Sequence, residues 1–250
     1  MGLACLACYG ALAADQPSSR PDEPALIALI IDDLGNGGSL GRRAADLPGP
    51  VACAVLPHTP FGAAIAERAH AAGKEVMLHL PLQPMEEIHG INTGVIMLEN
   101  NQSQLNRIFQ ADLDSVPHVV GINGHMGSLL TRHPGHMKWL MEAIIERGDL
   151  FFVDSVTTPD SVALQVAREH RVPSVRRDVF LDNEVTAQAI DAAFERLKIR
   201  ARANGAAVGI GHPYPETLAF LERALPALSD EGFKLVPVAR LLEKPESDKP

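Results

Sequence analysis

Two adjacent carboxylates, Asp32 and Asp33, close one apolar run of the chain, and two histidines, His79 and His125, stand at the ends of two others. Neighbouring carboxylates repel unless positive charge sits beside them, and a divalent cation meets that need. Imidazole suits zinc and similar metals. One carboxylate with two imidazoles leaves a position open for water, the arrangement of a catalytic rather than a structural centre. The second aspartate is then free to act as general base on that water. Further polar residues follow the apolar runs: Gln83, Asn123, Asp154 with Ser155, Arg176 with Arg177 and Asp178, and His212. Any one of them reads as well as a helix cap or a solvated loop residue. Apolar runs that repeatedly end in Asp, His or Arg are the pattern of a convergent site.

Other residues carry less. His70 and His170 fall near the C-terminal ends of helical segments, where a cation is favoured. His133 and His136 flank a helix start and read as capping or surface residues. His58, His89 and His118 are the remaining histidines. Cys53 lies in an apolar run and reads as a small buried hydrophobe. The chain has no G-x-x-x-x-G-K-[ST] and no G-x-S-x-G, and the loop Gly35-Asn36-Gly37-Gly38 fails G-x-G-x-x-G because position 40 is Leu.

Something must bring these residues together. Apolar runs at 26–31, 51–56, 75–80, 119–122, 150–153, 174–180, 206–210 and 233–238 alternate with segments of helical period at 60–72, 134–147, 186–203 and 215–230. Proline early in those segments and glycine just past them is ordinary helix punctuation. Short continuous apolar strands between amphipathic helices make a covered parallel sheet. Eight of them predict a barrel or near-barrel of (β/α) units in one domain, with its site at the C-terminal ends of the strands. Residues 81–102 break the rhythm, and a long loop in that position is expected to carry function.

Composition narrows the field. Of 250 residues, 46% are hydrophobic and 21% charged, which is globular. Lys and Arg number 22 against 31 Asp and Glu, a net charge of −9 with no basic block, so nucleic acid is excluded as the main partner. Two of the three cysteines, Cys5 and Cys8, lie in the first ten residues, so neither a disulfide framework nor a cysteine-rich zinc site is expected. Residues 1–14 are small and apolar, too short to span a bilayer, and Ala11-Leu12-Ala13 fits a secretory cleavage pattern. The positively charged start usual in such signals is missing. The expectation is export to the periplasm or beyond, with a linker at 15–24, a folded body at 25–242 and a flexible tail at 243–250. No other run is long enough for a membrane span.

Five segments together resemble the divergent polysaccharide deacetylases, distant relatives of the NodB-type carbohydrate esterases: Ile31-Asp32-Asp33, the run from Gly73 to Pro84, the run from Gly121 to Ser128, Phe151 to Ser155, and Gly209 to Pro213. The resemblance covers roughly residues 25–240. It implies an α/β fold, a distorted (β/α) barrel of seven to eight mostly parallel strands, acting on carbohydrate with a divalent metal, zinc above all. It implies that Asp32 is the general base and Asp33 a metal ligand. The family's His-x-x-x-His is matched only by His79, since Gln83 stands at the second position, and His125 is the best candidate for the third ligand. His212 falls on the family's general acid. The Arg and Asp that orient the base correspond to Arg176 or Arg177 and to Asp154 or Asp178. Gln83, Asn123, Ser128 and Arg176 are assigned to the substrate. The activity implied is removal of N- or O-acetyl groups from an envelope or cell-wall carbohydrate. The alternatives are a barrel of this kind that holds a glycan or an envelope protein partner without turnover, and a metal hydrolase acting on another bond. Aromatic residues are only 4% of the chain, which favours a short or terminal sugar over a long stacked one.

Overall fold

Nine parallel strands build the sheet, in a computed structural model that describes residues 23–87 and 94–242. The segment 1–14, most of the linker 15–24, His89 and the tail 243–250 lie outside the described residues. The strands are β1 (Ala25–Leu34), β2 (Ala52–Val55), β3 (Val76–Leu82), β4 (Val119–Met126), β5 (Phe151–Asp154), β6 (Ser174–Arg176), β7 (Val179–Phe180), β8 (Ala206–Gly211) and β9 (Phe233–Leu235). The helices are α1 (Gly38–Ala45), α2 (Gly62–Ala71), α3 (Gln102–Asp114), α4 (Pro134–Arg147), α5 (Ala163–Glu169), α6 (Ala187–Asn204) and α7 (Pro215–Ala224). Local chemistry sets several ends. Asn101 and Gln104 form a reciprocal capping box on α3, and Gly205 ends α6 at a φ of 79°, a conformation glycine adopts without strain.

The strands run in the order β6-β5-β4-β3-β2-β1-β8-β7, with β9 beside β1. The single strand expected at 174–180 is two. β6 pairs with β5 and β7 with β8, at opposite ends of the sheet, yet only Arg177 and Asp178 separate them in the chain. The Arg177 N–H donates to the Asp154 carbonyl and the Asp178 N–H to that of Val208. The sheet therefore curls until its ends meet across two residues, a distorted (β/α) barrel in one domain. The last expected strand is shorter than the apolar run. β9 pairs only with Ala25–Ile27 of β1, and Val238–Leu241 then form a short 3-10 helix.

Strand alternation divides the core in two. Ile27, Leu29, Ile31, Cys53, Val55 and Leu78 face outward and pack with the helices. Ala28, Ile30, Ala52, Ala54, Met77, Phe151, Val153, Val208 and Ile210 fill the interior, with Val238 among them. Gly121 of β4 completes the inner layer because nothing larger fits: a Cβ there would stand 2.3 Å from the Phe151 ring.

Candidate active site

The inward-facing series on each strand continues upward into polar side chains. Ala28 and Ile30 lead to Asp32, Met77 to His79, and Gly121 to Asn123 and His125. Phe151 and Val153 lead to Ser155, Val175 to Arg177, and Val208 and Ile210 to His212. The period of two places all of these above the same inner layer. Asp33 has the opposite parity. It reaches the site because β1 carries an irregularity there: Ile31 pairs with Cys53 and Leu34 with Val55, so β1 holds one residue more than β2. Asp33 takes a left-handed φ of 58°, which aspartate tolerates better than most residues.

Three atoms converge. Asp33 Oδ1 lies 2.9 Å from His125 Nδ1 and 3.1 Å from His79 Nε2, and the two nitrogens are 3.1 Å apart. The carboxylate oxygen is buried and accepts no hydrogen bond of good geometry. These separations suit a shared cation: four ligands at about 2.0–2.1 Å from zinc stand roughly 3.3 Å apart. His79 Nδ1 is 3.0 Å from Asn123 Oδ1, so when the ring is neutral its proton is best placed there and Nε2 presents a lone pair to the centre. The donor set, one carboxylate and two imidazoles, is that of an open divalent-metal site.

Around this centre the charges are graded. Asp32 is almost fully buried, and burial raises its carboxyl above the usual range. Its Oδ1 accepts from Asn123 Nδ2 at 2.8 Å, and its Oδ2 lies 3.7 Å from His79 Nε2. Burial would also raise Asp33, but His125 and His79 outweigh it and hold that carboxyl well below normal. Burial alone would lower His79, whereas Asp32 and Asp33 carry it up to about 9. His212 is likewise raised against the effect of its burial, chiefly by Asp182. Asp182 Oδ1 is 2.9 Å from His212 Nδ1, and its Oδ2 accepts from the His212 N–H and the Thr217 hydroxyl. His212 Nε2 is thereby turned toward the centre, 3.8 Å from Asp33 Oδ2.

Asp182 is absent from the sequence reading, although a signal existed: it stands two residues beyond inward-facing Phe180. The structure brings Asp32, Asp33, His79, Asn123, His125 and His212 together. Arg177 lies alongside, its guanidinium 4.9 Å from the Phe180 ring and bonded to the Ser155 and Val156 carbonyls. Four other predicted residues bond elsewhere, and a fifth lines a separate cleft. Asp154 accepts from the Val156 N–H and the Ser161 hydroxyl, and Asp178 from the Val208 N–H. The Gln83 side chain accepts from the Leu98 N–H, and its carbonyl accepts from Leu129 and Leu130, which ties down the loop after β3. Ser128 accepts from the Met85 N–H and contacts Glu86. Arg176 is exposed and lines a cleft beside α5.

Residues 29–242 match the family described as divergent polysaccharide deacetylase. An uncharacterized Escherichia coli protein, YibQ, is 34% identical over 230 residues, covering 92% of this chain and 71% of its own length. Among solved structures, the uncharacterized protein ATU2773 of Agrobacterium tumefaciens superposes with a TM-score of 0.84 at 22% identity, over 90% of this chain and 92% of that one. The Bdellovibrio bacteriovorus peptidoglycan deacetylase Bd3279 shares the fold at a TM-score of 0.52 and 11% identity, over 86% of this chain and 52% of that one.

Proposed function

The chain belongs to the divergent polysaccharide deacetylase family, and from that premise we propose that it is a metal-dependent hydrolase that removes acetyl groups from an envelope carbohydrate. The observation that carries the reading is the orphaned Asp33 oxygen within 3.1 Å of two imidazole nitrogens, beside a raised acid and a raised histidine. Asp33, His79 and His125 would hold a divalent ion, zinc by preference, which when bound would supply Lewis acidity and lower the pKa of a water molecule. Asp32 takes a proton from the attacking water. Its burial makes it a better base than an exposed aspartate, and Asn123 fixes the oxygen that faces away. Asp182 favours the protonated form of His212, which gives its proton to the departing amine or alcohol. Export belongs to the same reading and rests on the signal-like segment 1–14; cell fractionation tests it.

Metal analysis of the chain purified without chelator is the direct test. About one divalent ion per chain is expected, none in His125→Ala, and acetate release from N- or O-acetylated oligosaccharides should follow the metal. Stoichiometric metal in the variant would overturn the ligand assignment. A chain that takes up no zinc, cobalt, nickel or manganese would instead be a barrel that binds glycan without turnover. Release of phosphate or of a peptide amine, without acetate, would move the chemistry to another bond.

A further inference from the structure

Ser155 is a partition. Its hydroxyl accepts from Asn123, inside the site, while its neighbours Asp154 and Val156 line a separate cleft of about 380 Å³ between the ends of β5 and β6 and helix α5. Arg176 enters this cleft from the sheet and Arg168 from the helix, with Ser161, Gln165 and Glu169 around them. Two carboxylates, Asp154 and Glu169, share the cleft with them. Both Asp154 oxygens accept bonds, and Glu169 accepts from Gln165 at 2.9 Å. The two guanidinium groups make no hydrogen bond or ion pair with any described residue, as is true of several other exposed arginines; what sets these two apart is that both line one cleft. What the cleft has unspent is therefore donor capacity, five N–H groups on each arginine in a planar fork that matches a carboxylate or a phosphate.

We propose that this cleft is a subsite for an anionic substituent, carboxylate or phosphate, on the sugar unit next to the one that is deacetylated. The proposal rests on the deacetylase reading and narrows its substrate to an acidic glycan. Ser155 links the two places, bonded to Asn123 in the site and flanked by cleft residues, and it is on this adjacency that the neighbouring unit is assigned to the cleft. The acidic chain as a whole repels such a substrate, so attraction must be local, and two arginines facing one cleft supply it.

The test is calorimetric titration of the full chain with trigalacturonate, with a phosphorylated sugar and with neutral chitotriose, in wild type and in the double variant Arg168→Gln/Arg176→Gln. Both side chains are exposed, and circular dichroism checks that the double variant is folded. An acidic probe should bind wild type, weaken with salt, and lose about tenfold or more in the double variant, while chitotriose is unaffected. The tighter acidic probe identifies the source of the anion. Equal binding of an acidic probe to both proteins, or no acidic binding to wild type, overturns the subsite. Acidic binding that needs the arginines in a protein that releases no acetate keeps the subsite and removes the deacetylase reading. Acetate release indifferent to the arginines on acidic substrates does the reverse.

Discussion

At the scale of residues, the centre is a competition between protons and a cation. His79, raised to about 9 by two carboxylates, must lose its proton before Nε2 can bind metal. Zinc affinity should therefore climb about tenfold per unit between pH 6 and pH 8, with release of roughly one proton per ion. Competition against a chromophoric chelator reads this directly, and an affinity flat with pH would show that His79 is neutral without metal. Asp182 acts one step back, through His212. Asp182→Asn should cost about a hundredfold in kcat/KM. It should also move the alkaline limb of the pH profile downward, because His212 then gives up its proton at lower pH. An unmoved limb would mean that Asp182 serves stability alone.

At the scale of elements, three strand ends turn through left-handed residues at the site: Asp33 after Asp32, Met126 after His125 and Val156 after Ser155. Val156 is the most strained of these, since a β-branched residue at a φ of 49° crowds its own backbone. Asp154 holds its N–H and Arg177 its carbonyl. Asp154→Ala should therefore destabilise the fold by about 1–3 kcal/mol. Adding Val156→Gly should recover part of that loss, a non-additive pair measurable by urea unfolding; strict additivity would show that the strain is held by something else. Strand alternation also explains what the sequence revealed and what it concealed. Eight apolar runs showed the barrel, and polar residues ending them marked the region of the site. Parity separates Arg177 from Arg176 and Ser155 from Asp154, and each pair looks alike to a reading of strand ends alone. Asp33 escapes parity through an extra residue in β1, which no spacing announces. The division of 174–180 between two edges did carry a signal, since Arg176, Arg177 and Asp178 interrupt the apolar residues where the chain changes partner; reading the segment as one strand passed over it.

At the scale of the whole molecule, the C-terminal segment plugs the base of the barrel. Val238 enters the inner layer, and the Val238 and Ala239 N–H groups both donate to the Glu75 carboxylate at the foot of β3. Glu75→Ala should lower stability by about 1–3 kcal/mol in urea unfolding while leaving metal uptake unchanged; a parallel loss of metal would mean that base and site are coupled. The strand order has a consequence in time. β1, which carries both aspartates, precedes every other described strand in the chain, yet its partners β8 and β9 come last among them. Until residues 206–235 emerge, one flank of β1 stays unzipped and the nascent chain has no ring to close. Contacts so distant in sequence fold slowly. The polypeptide thus carries its own delay: the ring cannot lock until residues 206–211 of β8 have emerged to join β1 to β7.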